Sequence, residues 1–329
     1  MTSTQNLAVS PVFTSPRFEL FSRSGDDGNF TIVKKLPIYY QNDPSRVRQF
    51  CNEQNFLATL GTSYFEYKSQ SFCNNSPVEF EFTTRSTYSL ATLIQSTSTQ
   101  ADYLPISVRA ALFKQILNAV MLHRNIPGVD GVWDHFFEFT PTSLFFGMDG
   151  HLLFSHVNFE LPPADQNAIS RESGFEYFYY AAPEQFVTGQ RISSNALLYT
   201  LGIVFFEILT GKNLFNTNRH SNRNSLLDRK IRHLHPYVSD VCPEFEFADK
   251  QIHELLQPVP GRRHLDIVAL QEILDKLQVC AQASDDISVL DYTGMLSERN
   301  KTSEAKDITE EDAEQVLFQV SDIAELNDS

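Results

Sequence analysis

Two stretches in the second half of the chain decide its fold: YYAAPEQF at residues 179–186 and TLGIVFFEILTGKNLF at residues 200–215. The second overlaps ALLYTLGIVFFEILTG at residues 196–211, which is apolar on nearly every face and ends at Gly211. A helix that is apolar all round is buried, and a glycine at its end is typical of a helix C-cap. The sequence therefore predicts a central helix in the core of a mostly helical region.

The order of these motifs resembles the C-terminal lobe of the eukaryotic protein kinase family, whose members carry APE before a helix reading like SLGVILYELLTGxxPF. Ala182, Pro183 and Glu184 match the first motif. The second is matched by Leu201, Gly202, Glu207, Leu209, Thr210, Gly211 and Phe215. The resemblance implies that Arg263, in the segment 255–274, pairs with Glu184 and ties the activation segment to the lobe. The alternative for Arg263 is a solvated surface charge.

The first third of the chain is rich in predicted strands. Four short runs have β-type composition and are bounded by Gly, Asn, Asp or Pro: FELFSRS (18–24), NFTIVKKL (29–36), TSYFEYKSQSF (62–72) and PVEFEFTT (77–84). Between the second and third runs, residues 44–60 place apolar side chains at helical spacing. Together with the resemblance, this predicts an α+β protein with a two-lobed protein kinase-like fold, a small β-rich N-lobe and a larger helical C-lobe.

The segment TIVKKL (31–36) resembles the VAIK motif of the third kinase strand, which implies that Lys34 is the phosphate-contacting lysine. Glu53, on the helix that follows, is then its partner. In kinases this ion pair positions the α- and β-phosphates of ATP. The alternative is that Lys34 lies on an edge strand and that Glu53 is a solvated helix residue.

The residues that direct phosphoryl transfer in kinases are replaced in this sequence. The reaction needs an Asp to accept the substrate proton, and an Asn and a second Asp to hold Mg²⁺. If Pro141 and the Asp149–Gly150 turn fix the alignment, Glu138 stands at the catalytic Asp, Ser143 at the Asn and His156 at the Asp of DFG. Mg²⁺ prefers hard oxygen ligands and an imidazole suits zinc or copper, so we expect no metal site and no catalytic residue.

The glycine-rich loop that covers the phosphates in kinases is also missing. The first 24 residues contain no glycine, and Gly25 and Gly28 are better placed for the turn between strands two and three. Close approach of backbone to phosphate is hard to arrange without glycine. We therefore expect no cofactor, and ATP bound at Lys34 and Glu53 without Mg²⁺ is the alternative.

Charge and composition exclude several classes of partner. The net charge is −15, and residues 281–329 alone hold 13 acidic and 3 basic side chains, which argues against binding to a nucleic-acid backbone. No uninterrupted apolar run is long enough to span a membrane, and no secretory signal is recognisable. The four cysteines lack CxxC spacing, as expected of reduced thiols in a cytoplasmic or nuclear protein.

These observations divide the chain into a flexible N-terminus (1–16), an N-lobe (17–85), a C-lobe (86–280) and an acidic tail (281–329). In the tail, residues 307–326 are predicted to form an amphipathic helix with Val316, Leu317 and Val320 on its apolar stripe. This helix docks either on the protein's own C-lobe or on a partner. Upstream of it, DDISVLDY (285–292) resembles a SUMO-interacting motif.

We interpret the chain as a catalytically inactive kinase homologue, a pseudokinase, because the resemblance retains the parts that build the fold and loses those that do chemistry. Such homologues scaffold signalling complexes or activate a true kinase, so the expected partner is a protein. Four aromatic residues of the predicted activation segment are candidate partner contacts, with packing against the lobe as the alternative: Phe175, Tyr177, Phe178 and Tyr179.

Three other functions remain open. The first is an atypical active Ser/Thr kinase that uses Glu138 with an altered metal site. The second is a nucleotide-binding, non-catalytic switch. In the third, the kinase-like part only folds and the acidic tail carries the function.

Overall fold

The computed structural model describes residues 9–14, 18–24, 30–59, 69–73, 76–84, 89–99, 104–124, 135–137, 140–141, 144–154, 157–159, 179–186, 194–215, 222–283 and 287–296. Its strands are β1 (Val9–Thr14), β2 (Glu19–Ser24), β3 (Phe30–Lys35), β4 (Ser69–Cys73), β5 (Ser76–Thr84), β6 (His135–Phe137), β7 (Leu144–Phe146), β8 (Leu152–Phe154) and β9 (Val157–Phe159). Its α-helices are α1 (Pro44–Thr59), α2 (Leu90–Thr99), α3 (Ile106–Arg124), α4 (Ser194–Thr210), α5 (Arg223–Ile231), α6 (Asp249–Leu255), α7 (Ile267–Gln282) and α8 (289–296).

The N-terminal lobe is built on a five-stranded antiparallel sheet in the order β1-β2-β3-β5-β4. The predicted runs at 18–24, 29–36 and 77–84 form its three central strands. Residues 1–16 were predicted to be flexible, and this is corrected for Val9–Thr14, which pairs with β2 as an edge strand. The run VSPVFT lies in a stretch rich in Ser and Thr and contains Pro11, which argues against an interior strand but is tolerated in an edge strand.

The helix α1 covers one face of this sheet. Its buried residues Val47 and Phe50 point inward, and the Phe50 ring lies 5.5 Å from that of Phe80 on β5. The same helix also contacts β9. Through β5 and β9, α1 links the sheet to the short strands of the second lobe.

The central helix of the C-terminal lobe is α4, as its apolar sequence predicts. Every residue from Ala196 to Thr210 is buried, and Gly211 ends the helix with a φ of +65°. Gly202 lets α6 approach closely, because a Cβ at this position would lie 2.9 Å from the Leu256 side chain. Among the described residues no helix, α4 included, is long and apolar enough to cross a bilayer.

A buried arginine ties α3 to the end of the central helix. Arg109 donates from Nε to the Leu104 carbonyl at 2.6 Å and from Nη1 to the carbonyl of Leu209. Its guanidinium lies 5.5 Å from the ring of Phe245. A cation is favourable at a helix C-terminus, so Arg109 stabilises the last turn of α4 without exposing its charge.

The first part of the predicted tail belongs to the C-lobe. Ser107, in the first turn of α3, donates to the Ile287 carbonyl at 3.0 Å and accepts from the Ile287 amide at 3.3 Å. The helix α8 that follows buries Val289, Tyr292 and Leu296. The C-lobe therefore extends at least to residue 296, beyond the boundary predicted at residue 280.

Candidate functional site

Two antiparallel strand pairs frame the positions where the sequence predicts the replaced catalytic residues. β6 pairs with β9, with Phe137 opposite Val157, and β7 pairs with β8, with Leu144 opposite Phe154. The end of β6 thus lies beside the start of β9, and the start of β7 lies beside the end of β8. The positions themselves lie outside the described residues: Glu138, Ser143 and His156.

The turn used to fix the alignment is present between β7 and β8. The Gly147 amide donates to the His151 carbonyl at 2.8 Å, and Asp149 Oδ1 accepts from the His151 amide at 3.0 Å. Gly150 has a φ of +81°, a conformation that favours glycine. Pro141, the second marker of the alignment, is buried. Both markers that align this sequence with the kinase motifs, Pro141 and the Asp149–Gly150 turn, therefore belong to the described structure.

Lys34 is enclosed by the N-lobe core. It lies on β3 between Leu20 of β2 and Phe80 of β5, and its side chain is 0% exposed. Its ammonium lies 4.8 Å from the ring centroid of Phe18 and 5.5 Å from that of Phe50. These rings stabilise the cation through their π faces. β3 is an interior strand, so the edge-strand alternative for Lys34 is wrong.

The predicted partner of Lys34 is only partly described. Glu53 lies on α1, as expected, but its side chain is outside the described residues. The structure therefore places Lys34 on β3 and Glu53 on α1, and the predicted contact between their side chains lies outside the described residues.

Glu207 of α4 binds the segment that precedes the APE motif. Tyr179 and Tyr180 donate their hydroxyls to Glu207 at 2.6 and 2.9 Å, and the Leu214 amide donates at 3.4 Å. Glu207 is fully buried, and this burial raises its pKa to about 7 despite the three donors. The pKa of Tyr179 is also raised, by burial and by the charge of Glu207.

Lys230 of α5 holds the backbone of the same segment. Its ammonium donates to the Tyr179 carbonyl at 2.7 Å and to the carbonyl of Ala181. The side chain is 0% exposed, and burial lowers its pKa well below the ordinary value. Its ammonium also lies 5.4 Å from the ring centroid of Phe215. Glu207 and Lys230 together fix both the side chains and the main chain of residues 179–181.

The structure brings Glu184 and Arg263 together, as the motif implies. Arg263 donates from Nη1 to one carboxylate oxygen of Glu184 at 2.6 Å and from Nη2 to the other at 2.7 Å. Further donations reach the carbonyls of Asn195 and Gln257, both at 2.7 Å. The Arg263 guanidinium also lies 5.0 Å from the ring centroid of Tyr199. The side chain of Arg263 is buried, so the solvated alternative for this residue is wrong.

The structure describes one of the four aromatic residues predicted as partner contacts. Tyr179 is 6% exposed and engaged with Glu207, so its assignment as an exposed contact is corrected to a packing role. The other three lie outside the described residues: Phe175, Tyr177 and Phe178. The predicted tail-helix contacts also lie outside them: Val316, Leu317 and Val320.

The structure argues against the interpretation of residues 285–292 as a SUMO-interacting motif. That motif needs accessible apolar side chains, whereas Val289 is 6% exposed and Tyr292 is 8% exposed within α8. Both side chains are used to attach α8 to the C-lobe.

Two features of the C-lobe have no counterpart in the sequence predictions. One is Lys230, which lies on a helix rich in polar residues and is therefore expected to be exposed. The other is a group of three histidines, His233, His235 and His253, of which the first and last are 20 residues apart in sequence and which meet only in the fold. The HLH spacing at residues 233–235 is the one local signal for this group.

A scan against protein-family models and a search of curated proteins each found no match. A search of solved structures matches the crystal structure of a variant of the PknI kinase domain from Mycobacterium tuberculosis. The TM-score is 0.50 and the sequence identity 13%, over 84% of this chain and 100% of that chain. At this identity the match establishes the fold alone. The two-lobed α+β architecture predicted from the sequence is confirmed, and the chain has a protein kinase-like fold.

Proposed function

We propose that this protein is a catalytically inactive protein kinase homologue that acts by binding other proteins, as a scaffold or an allosteric regulator of a signalling partner. The observation that carries the proposal is the pair of residues at the magnesium-binding positions, Ser143 and His156. Neither offers the anionic or amide oxygen that Mg²⁺ takes in kinases. Without the metal ions, the charge that develops on a transferring phosphoryl group lacks its main stabilisation.

The setting of Lys34 supports the proposal. A lysine that contacts nucleotide phosphates must present its ammonium to the cleft, and this one is 0% exposed beneath Phe18 and Phe50. With no exposed surface, the ammonium is in contact with protein groups, among them these two rings, and not with solvent. We therefore infer that Lys34 stabilises the N-lobe and does not hold ATP.

The completeness of the C-lobe network supports a binding role. Residues 179–186 are held by Glu207, Lys230 and Arg263, all three buried. Three buried ionisable side chains around one segment are costly unless they are well paired, so their retention indicates that the position of this segment matters. A rigid segment at this place suits recognition of a protein partner.

Nucleotide binding tests the proposal against the switch alternative. The melting temperature of the full chain is measured with millimolar ATP, with and without Mg²⁺, for the wild type and for Lys34→Met. Lys35→Met is the matched control, because Lys35 lies next to Lys34 on β3 but is partly exposed and pairs with Glu79 at 2.6 Å.

We expect no nucleotide-dependent shift in any of the three proteins. A shift that Lys34→Met abolishes and Lys35→Met retains would favour a nucleotide-binding switch, and dependence of that shift on Mg²⁺ would favour an active kinase.

A further inference from the structure

Three histidines meet where the segment after α5 runs alongside α6. The ring centroids of His233 and His253 are 4.1 Å apart, those of His233 and His235 are 4.4 Å apart, and those of His235 and His253 are 5.6 Å apart. One ring nitrogen of each lies within 4.8 Å of those of the other two. Neither the replaced catalytic positions nor the Glu184–Arg263 pair involves this group.

Each histidine has a buried ring nitrogen without a hydrogen-bond partner among the described residues: His233 Nε2, His235 Nε2 and His253 Nδ1. Buried polar atoms are almost always paired, so three unpaired atoms in one place require an explanation. A bound cation that accepts an electron pair from each of the three rings would explain them.

The tautomer of His235 is suited to this role. Its Nδ1 lies 3.0 Å from the carbonyl oxygen of Pro236. A carbonyl oxygen only accepts, so Nδ1 carries the proton and Nε2 presents a lone pair. Histidines that bind metals usually donate their other ring nitrogen to an oxygen in this way, which fixes the ring and strengthens the ligand.

The backbone of His233 is a second, independent observation. It follows α5 with a φ of +56°, and it is the one described residue other than glycine with positive φ. The Leu234 amide donates to the Arg229 carbonyl at 2.8 Å and the His233 amide donates to the Lys230 carbonyl at 3.2 Å, the bonds of a Schellman cap. Glycine is usual at this position, so a histidine here keeps a strained conformation that suggests a use for its ring.

The segment is also attached to α6 by contacts other than those among the three histidine rings. Asp249, the first residue of α6, accepts from the Ser239 amide at 3.0 Å and from the Ser239 hydroxyl. The Tyr237 ring stacks on His253 with centroids 5.1 Å apart. The arrangement of the three rings is therefore largely formed before any ligand binds.

We propose that His233, His235 and His253 form a binding site for a zinc-class divalent transition metal, which clamps the segment after α5 to α6. Imidazole ligands favour Zn²⁺ and its neighbours over Mg²⁺ and Ca²⁺. Tetrahedral zinc with Zn–N bonds of about 2.0–2.1 Å places ligand nitrogens about 3.3 Å apart. The candidate ligand nitrogens lie within 4.8 Å of one another, so the rings must turn towards a common point to bind the ion. Three protein ligands leave the fourth position to water, and the partly exposed rings let the ion enter from solvent.

Zinc binding to the full chain, freed of any affinity tag, tests the site. The protein is titrated with ZnCl₂ by isothermal titration calorimetry, and the visible absorption of a Co²⁺-loaded sample reports the coordination. We expect one equivalent of zinc, and binding weakened about 100-fold or more by His253→Gln, since even the outer partners of metal ligands are worth 10–100-fold.

His233→Gly separates ligand loss from misfolding, because glycine suits the positive φ of this residue. We expect this variant to be at least as heat-stable as the wild type without metal, and to lose the zinc-dependent rise in melting temperature. His264→Ala is the control, since His264 is exposed and lies outside the group. The site is excluded if the wild type binds no zinc, or if His233→Gly and His253→Gln bind it as tightly as the control.

Discussion

Arg263 and Glu184 share two parallel hydrogen bonds of 2.6 and 2.7 Å in a setting where the arginine side chain is inaccessible to solvent. They are 79 residues apart in sequence, so the pair joins the APE segment to the approach to α7. Two parallel hydrogen bonds of this kind restrict the geometry of the contact as well as stabilising it. The orientation of residues 179–186 on the C-lobe therefore depends on both partners.

Removal of one partner is predicted to destabilise the protein strongly. Arg263→Ala leaves the Glu184 carboxylate buried without its cation, and breaking such a pair costs about 3–5 kcal/mol. Urea denaturation monitored by circular dichroism measures the change in the free energy of unfolding. Arg232→Ala is the matched control, because Arg232 pairs with Asp228 at 2.8 Å on the surface, where a pair is worth about 0.3–0.5 kcal/mol. Equal losses in the two variants would contradict the assigned role of the buried pair.

Glu207 is predicted to make stability depend on pH. Burial raises its pKa from 4.5 to about 7, so the folded state holds the proton more tightly than the unfolded state. The resulting stability is complete below pH 4.5, falls as the pH rises towards 7, and is lost above 7. The shift corresponds to about 3 kcal/mol.

The variant Glu207→Gln isolates this effect, since glutamine imitates the protonated acid and does not titrate. Between pH 5 and 8 the wild type is expected to lose about 2.5 kcal/mol of unfolding free energy relative to the variant, because a part of the effect is already lost at pH 5. Chemical denaturation at several pH values measures the difference. Parallel pH profiles for the two proteins would show that Glu207 is ionised in the fold at all of these pH values.

The contact between Gly150 and α8 is predicted to be sensitive to a single methyl group. A Cβ on Gly150 would lie 3.1 Å from the Leu290 amide nitrogen, at a φ that disfavours side chains. Gly150→Ala should therefore lower stability by about 1–3 kcal/mol. Gly261→Ala is the control, because a Cβ there meets no atom within 4 Å. A Gly150→Ala protein as stable as the control would mean that α8 does not rest on this turn.

Some parts of this architecture could be predicted from the sequence because each of them follows from a local sequence pattern. The apolar residues of α4 leave no polar face, and the APE motif pointed to Arg263 across 79 residues. Lys230 could not be predicted, because its partners are backbone carbonyls whose positions exist only in the fold. For Tyr179 the sequence left exposure and packing equally open, and the burial of Tyr179 with its hydrogen bond to Glu207 decides between them.

Truncation of the chain separates the role of α8 from that of residues 297–329. A chain that ends at residue 296 keeps α8 and its three buried apolar side chains, so a fall in its melting temperature relative to the full chain would indicate that residues 297–329 dock on the protein's own C-lobe. A chain that ends at residue 283 loses them and should be several kcal/mol less stable, at about 1.5–3 kcal/mol for each buried side chain. Quantitative affinity purification with the full chain and the 1–296 chain then shows which part recruits partners. Partners lost entirely from the 1–296 chain would assign the function to the tail.

Phosphoryl transfer is the most direct test of the proposal that the chain binds proteins without modifying them. The purified full chain is incubated with radiolabelled ATP, Mg²⁺ or Mn²⁺ and generic protein substrates, alongside Glu138→Ala with a matching melting temperature. We predict no labelled product above the signal of the Glu138→Ala protein. Transfer by the wild type that Glu138→Ala abolishes would contradict the account and identify an active kinase.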